Sequence, residues 1–159
     1  MAEIYEVESY EPRKGVGYLL SKVKTEMLAQ IDRDFVADEQ LKPLEVTAAQ
    51  YIIMSALTLS GSQSASDLCK EIGYDAGAMT RMIDRLEEKG LLRRSRCVND
   101  RRLVYLELTE QGKAAVPRMK TLGVRVMNQF LQGFTKAEAR QLEDYLMRML
   151  ENGARGVTG

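Results

Sequence analysis

Six segments with helical apolar spacing, one alternating strand and one basic hairpin predict a mainly α fold with a small β-wing. Three observations carry that prediction. Apolar residues recur at i, i+3, i+4 and i+7 over most of the chain outside its ends. The run L-V-Y-L-E-L, residues 103–108, alternates as a half-buried strand does. Between the fourth helical segment and that strand stands R-R-S-R-C-V-N-D-R-R, residues 93–102, with five arginines against the single acid Asp100.

Residues 1–13 have no clean period and read as an arm, ordered only where a partner holds it. The first helix follows, with Leu19, Leu20, Val23, Met27, Leu28, Ile31 and Phe35 on its stripe, closed before Pro43. Thr47 caps a second helix running to about Thr58. Ser64 or Ser66 caps a short third helix containing Leu68, Cys69 and Ile72, and Gly73 supplies the tight turn after it. Asp75 caps the fourth, D-A-G-A-M-T-R-M-I-D-R-L-E-E-K, and Gly90 ends it where a left-handed residue is wanted. Asn99-Asp100 marks the hairpin turn. Thr109 caps a long fifth helix with Val116, Met119, Leu122, Val126, Phe130 and Leu131 on its apolar side; Pro117 removes one backbone donor there and should bend it. Thr-Lys-Ala-Glu from Thr135 is a capping box opening a last helix, expected to bury Leu142, Tyr145, Leu146, Met149 and Leu150. The chain thus divides into an arm (1–13), a first helix (14–44), a central lobe (45–112), C-terminal helices (113–152) and a tail (153–159), one structural domain overall.

The fourth helix points to chemistry. Met79, Met82, Ile83 and Leu86 form its apolar stripe. The opposite face carries Gly77, Thr80, Arg81, Asp84 and Glu88, flanked by Ala76 and Arg85. A half-face of small residues, one hydroxyl and one guanidinium suits a helix lying close to the floor of a DNA major groove. Helix, strand, basic turn and strand make a winged helix-turn-helix whose arginines would reach phosphates or a narrow minor groove. The candidate contacts are Ser64, Ala76, Gly77, Thr80, Arg81 and Arg85, with Arg94, Arg96, Asp100, Arg101 and Arg102 in the wing.

Bulk numbers fit such a role only through uneven charge. Twenty-three basic against 23 acidic side chains give a formal net charge of zero, so the 93–102 cluster must supply any attraction to DNA. No stretch approaches 18 uninterrupted apolar residues, and no basic n-region precedes an apolar one; a soluble cytoplasmic protein with no membrane partner is expected. The absence of histidine removes the commonest general base, Ser-His nucleophiles and most zinc sites. No Gly-rich phosphate loop is present, and Glu87-Glu88 reads as a solvated helix face. Neither enzyme activity nor a metal or other cofactor is expected.

The motifs L-E-E-K-G-L-L-R-R (86–94), D-R-R (100–102) and L-E-L-T-E-Q-G (106–112) resemble the signature of the MarR family of transcriptional regulators, an acid-x-Arg wing tip followed by Leu-Thr-x-x-Gly. The similarity extends upstream through K-P-L-E-V-T-A-A-Q-Y (42–51) and covers roughly Leu19 to Leu150. The resemblance implies a homodimer in which the first helix and the last two interleave with their copies. That agrees with apolar stripes too large for one winged lobe to cover. It also implies a pocket between the dimer helices and the DNA-binding lobe, often filled by small aromatic acids. Met27, Ile31, Tyr51 and Met54 are candidate lining positions by location only. By the same resemblance Asp100 orients Arg102, leaving Arg101 to enter the minor groove.

A repressor of pseudo-palindromic sites, released by such a ligand, is the function implied. Two other readings stand beside it. A redox sensor of the same fold would use Cys97, whose thiol has Arg96 beside it and Arg94 near it, since positive neighbours depress a thiol pKa. The family's peroxide sensors carry their reactive cysteine in the first helix, where this chain has none. A helical adaptor binding an acidic protein through the wing is the third. Cys69, beside Leu68, reads as a small core residue.

Overall fold

Each helix begins where a side chain can satisfy the amides of its first turn, and the computed structural model, which describes residues 3–96 and 104–156, follows that punctuation closely. The order is α1 (Val16–Ala37), a 3-10 turn (Lys42–Leu44), α2 (Ala48–Ser60), α3 (Ala65–Ile72), α4 (Ala76–Glu88), β1 (Leu92–Arg96), β2 (Val104–Leu108), α5 (Glu110–Phe130) and α6 (Lys136–Gly156). The chain forms two compact units, Met1–Val126 and Met127–Gly159.

In the first unit, Thr47 and Gln50 close a reciprocal capping box on α2, with Gln50 N donating to Thr47 Oγ1 at 3.2 Å and Thr47 N to Gln50 Oε1 at 3.1 Å. Asp32 on α1 takes the next amide, Ala48 N, at 2.6 Å, so the first helix helps to cap the second. Ser64 accepts from Asp67 N at 3.1 Å and Asp75 from Ala78 N at 2.8 Å. Gly73 and Gly90 close α3 and α4 at φ 78° and 68°, where a side chain would be strained. Thr109 caps α5 and ties it backwards: its hydroxyl donates to Gly90 O at 2.6 Å and accepts from Gly112 N at 3.1 Å. The helix then continues through Pro117 without interruption.

The wing is antiparallel, with Leu92 opposite Leu108, Arg93 opposite Glu107, Arg94 opposite Leu106 and Arg96 opposite Val104. Gln63 adds a bridge to Leu106 from the other side, donating at 3.3 Å and accepting at 2.7 Å. Leu92, Leu106 and Leu108 turn inward onto a core built from Ile31 and Phe35 of α1, Ile53 and Leu57 of α2, Leu68 of α3, Met79, Ile83 and Leu86 of α4, and Val116 and Met119 of α5. Most of these were marked by helical and strand periods, Ile53 and Leu92 being exceptions, and burying them is the main drive for the fold.

Two expectations need correcting. The arm is not idle: Tyr5 Oη accepts from Val16 N at 3.2 Å, so it caps α1, whose N-cap residue Gly15 has no side chain to offer. Tyr10 stacks edge-on against Tyr5, with ring centroids 4.9 Å apart, and closes over Gly15. In the second unit, α6 opens on the foreseen box, Thr135 N donating to Glu138 Oε2 at 2.7 Å and Glu138 N to Thr135 Oγ1 at 3.2 Å. Its apolar stripe, however, is not buried in the single chain: Leu142, Tyr145 and Met149 are exposed, and Leu150 is 69% exposed. On α1 of the first unit Leu19, Leu20 and Val23 are exposed likewise. No described helix is long and apolar enough to cross a membrane.

Candidate nucleic-acid interface

The reading face of α4 is open. Ala76, Gly77, Thr80 and Arg81 are all exposed at its N-terminal half, directly after the Asp75 cap. Met79, Ile83 and Leu86 bury the other side and fix the helix's rotation. Thr80 donates its hydroxyl proton to Ala76 O at 2.8 Å, so the oxygen it turns outward is an acceptor. Arg81 and Arg85 are exposed and have no ion-pair partner among the described residues. An exposed guanidinium beside small residues can approach a base edge bidentately, whereas a paired one could not. Ser64 is held by its own helix, accepting from Asp67 N and donating to Asp67 Oδ2 at 2.7 Å.

The described arginines of the wing differ in their surroundings. Arg96 is exposed, as a backbone contact requires. Arg94, assigned to DNA from the sequence, is turned the other way: its Nη2 lies 2.6 Å from Asp84 Oδ1, and its Nη1 bonds Glu87. The Asp84 hydrogen bond, with Glu87 beside it, raises the guanidinium pKa. Arg94 therefore fastens β1 to α4. Its neighbour Arg93, not singled out from the sequence, instead reaches across the hairpin to Glu107, with Nε and Nη2 at 3.1 and 3.0 Å from Oε2. Cys97, Asp100, Arg101 and Arg102 lie outside the described residues.

Further contacts set the reading helix against the rest of the first unit. Lys89, the C-cap of α4, sends its Nζ to Glu45 O at 2.5 Å, and burial lowers its pKa. Glu45 has φ 48°, a left-handed residue whose carbonyl is thereby presented to the lysine. Just beyond this end of α4, the Gly90–Leu91 turn lies hard against Gly112 of α5. A Cβ there would sit 2.1 Å from Leu91 O, so the last glycine of L-E-L-T-E-Q-G is required by close approach of two backbones.

The four ligand positions scatter. Ile31 and Met54 are buried in the core and Met27 is half-buried. Tyr51 stands edge-on to Phe35 with centroids 6.0 Å apart, and lines a groove of about 590 Å³ with Lys24, Ser55 and Tyr74. A larger cavity, about 700 Å³, opens between α2, the wing and α5. Leu57, Leu108, Val116 and Pro117 line it together with Arg93, Lys113 and Lys120. The helical period marked the four positions equally well as core, which is where two of them went. No sequence signal gathers the cavity's residues, because they come from four elements. Among the described residues no cluster of His, Cys, Asp or Glu could hold a metal ion.

A sequence model of the MarR family matches residues 46–104, the stretch from the start of α2 into the wing. The chain is similar to BpsR of Bordetella bronchiseptica, whose DNA binding is regulated by 6-hydroxynicotinic acid. The two are 30% identical over 89% of this chain and 96% of that one, with a TM-score of 0.73. It is similar also to a cysteine-to-serine mutant of MarR from E. coli complexed with operator DNA, at 30% identity over 85% of this chain and 93% of that one, with a TM-score of 0.72. A MarR transcriptional regulator from Methanosarcina mazei Go1 shares the fold at 24% identity and a TM-score of 0.77, over 88% of this chain and 96% of that one.

Proposed function

The chain belongs to the MarR family, and from that membership we propose that it is a homodimeric transcriptional regulator, a repressor, that binds a pseudo-palindromic operator and leaves it when a small aromatic acid binds. One observation carries the DNA reading: the exposed half-face Ala76, Gly77, Thr80 and Arg81, with Arg81 unpaired among the described residues. Small residues let the helix backbone approach the groove floor, and the free guanidinium then has a base edge within reach. Arg96 supplies a backbone contact at the wing, and Arg101 and Arg102, later in the sequence, carry the same charge.

Dimerisation is supported by the exposed apolar residues on each unit taken separately, Leu19, Leu20 and Val23 on α1 and Leu142, Tyr145, Met149 and Leu150 on α6. Stripes of that kind on a soluble chain mark protein contacts. Ligand response is supported by BpsR, whose DNA binding 6-hydroxynicotinic acid regulates, and by the apolar cavity with basic side chains beside the wing.

The test is a gel shift of the chain with duplex from its own promoter region against a random duplex of equal length, with and without small aromatic acids. The regulator reading expects preference for the promoter duplex and its loss with an acid present. Equal binding to both duplexes would remove operator recognition; an unchanged shift with every acid would remove ligand release.

A further inference from the structure

The backbone of α4 does not require a glycine at position 77. Gly77 lies inside the helix and is not among the glycines of positive φ. Within a helix glycine is less favourable than alanine, so its presence calls for another reason. Among the described residues, and leaving aside its chain neighbours, two atoms come within 4 Å of a Cβ built there. They are Asp75 Oδ1 at 3.2 Å and Arg81 Nη1 at 3.5 Å.

Both atoms belong to charged groups at the start of the reading helix. Helical side chains lean toward the N-terminus, so Arg81 lies back along α4 over the residue four before it, which is Gly77. The guanidinium thereby reaches the first turn, the part of a reading helix that meets base edges. That turn is also the positive end of the helix dipole, where a cation alone is unfavourable. Asp75 supplies the offsetting charge. Its Oδ1 is committed to Ala78 N, from which it accepts at 2.8 Å, and it forms no ion pair with Arg81. The acid is close enough to orient the guanidinium without bonding it, which leaves the arginine's donors free for a base.

We propose, resting on the reading of Arg81 as a base contact, that Gly77 is a specificity-positioning residue: the gap it leaves seats the Arg81 guanidinium beside Asp75 on the first turn of α4. Arg81 is the binding residue, and Gly77 and Asp75 act through it. An arginine ordered before it meets DNA loses less freedom on binding, and only a directed fork tells one base from another. A methyl at position 77 would fill the gap and crowd Asp75 Oδ1, moving the carboxylate or the guanidinium off its place. An amide at position 75 would keep the helix cap and drop the charge.

The experiment has two arms on the full chain. Without DNA, nitrogen relaxation at Arg81 Nε measures the order of the side chain, the signal being assigned by its absence in Arg81→Lys. Arg81 should be more ordered in the unmodified chain than in Gly77→Ala or Asp75→Asn. With DNA, the readout is the affinity ratio between a duplex that the unmodified chain selects from a random pool and an unselected duplex of equal length, at fixed salt. Gly77→Ala should lower that ratio by about fivefold or more when Arg81 is present, and leave it nearly unchanged in an Arg81→Ala background. Asp75→Asn should lower the ratio likewise, although removing a negative charge near DNA tightens binding to the unselected duplex. Gly77→Ala should melt no lower than the unmodified chain, since alanine favours the helix, so a reduced ratio is not a loss of fold. Equal order of Arg81 in all three chains, or an unchanged ratio in Gly77→Ala, would overturn the proposal. A ratio that falls equally with and without Arg81 would overturn it too, leaving the glycine to the approach of helix and groove alone. Absence of any selected duplex would sink the regulator reading, and the order of Arg81, measured without DNA, would still decide whether the seat exists.

Discussion

Arg94 on β1 holds Asp84 on α4, guanidinium nitrogen to carboxylate oxygen at 2.6 Å, and the same guanidinium bonds Glu87 one turn on. The wing is thereby anchored to the helix it flanks, and an arginine counted from sequence as a DNA contact becomes an internal strut. Arg94→Ala should destabilise the fold by about 1–2 kcal/mol, the loss of two partly exposed ion pairs and their packing. Arg94→Lys should recover only part, because a single ammonium cannot fork between two acids. DNA affinity should fall by one factor for specific and random duplex alike, with an unchanged salt slope. Titrations at several salt concentrations check this; a slope reduced by about one contact per subunit would make Arg94 a phosphate contact instead.

Arg81 has the opposite profile, exposed on α4 and without an ion-pair partner among the described residues. Arg81→Ala should leave the melting temperature nearly unchanged and cost about 1–3 kcal/mol of operator affinity, with relaxed preference at one base pair of each half-site. Competition between operator and single-substituted duplexes measures it. Uniform weakening across all sequences would reassign Arg81 to the phosphate backbone.

Gly112 lies with its Cα against the Leu91 carbonyl, and a Cβ would come to 2.1 Å of that oxygen. Neither partner can yield without moving a backbone, so Gly112→Ala should cost more than about 3 kcal/mol or prevent folding. Gly153, in α6 with nothing within 4 Å of its would-be Cβ, is the control. There Gly→Ala should gain about 0.5–1 kcal/mol through helix propensity. Thermal melts of the two variants compare them directly, and equal melts would remove the close approach as the reason for the glycine.

Asp38 gives the fold an acid limb. Its Oδ2 accepts from Arg118 Nε at 2.8 Å and its Oδ1 from the amides of Gln40 and Leu41, tying the end of α1 to α5. The Arg118 bond chiefly, with those amides, holds the carboxyl below its ordinary value of 3.8. A depressed carboxylate contributes stability that is present above the unfolded pKa and is lost as pH falls through the folded one. The stability gap between the wild-type chain and Asp38→Asn should therefore be constant from about pH 5 to 7 and shrink below about pH 4. Chemical denaturation across that range shows it; a gap that widens on acidification would contradict the assignment.

What could be read from sequence follows from which interactions are local. Thr47, Ser64, Asp75, Thr109 and Thr135 act on amides within three residues, so the caps were visible in the order of the residues, save that Ser64 and Ser66 were equal candidates for α3. Core positions such as Ile83 and Leu86 were marked by period alone. The roles of Arg93 and Arg94 were not visible, because identical side chains are sent to opposite faces by the register that Leu92 and Leu108 set. Met54 and Ile31 were offered for a pocket although their spacing already put them in the core. The exposed stripe of α6 carries the same signal as a buried one, since a period reports an apolar face and not which chain covers it.

The central claim is that two copies of this chain read a two-fold site with α4. Selecting bound duplexes from a randomised pool, then weighing the complex by sedimentation, tests it most directly. The account predicts a pseudo-palindrome whose half-sites lie about one helical turn apart, roughly 34 Å, with two chains on each duplex. One chain on a single half-site, or retention of all sequences alike, would contradict it.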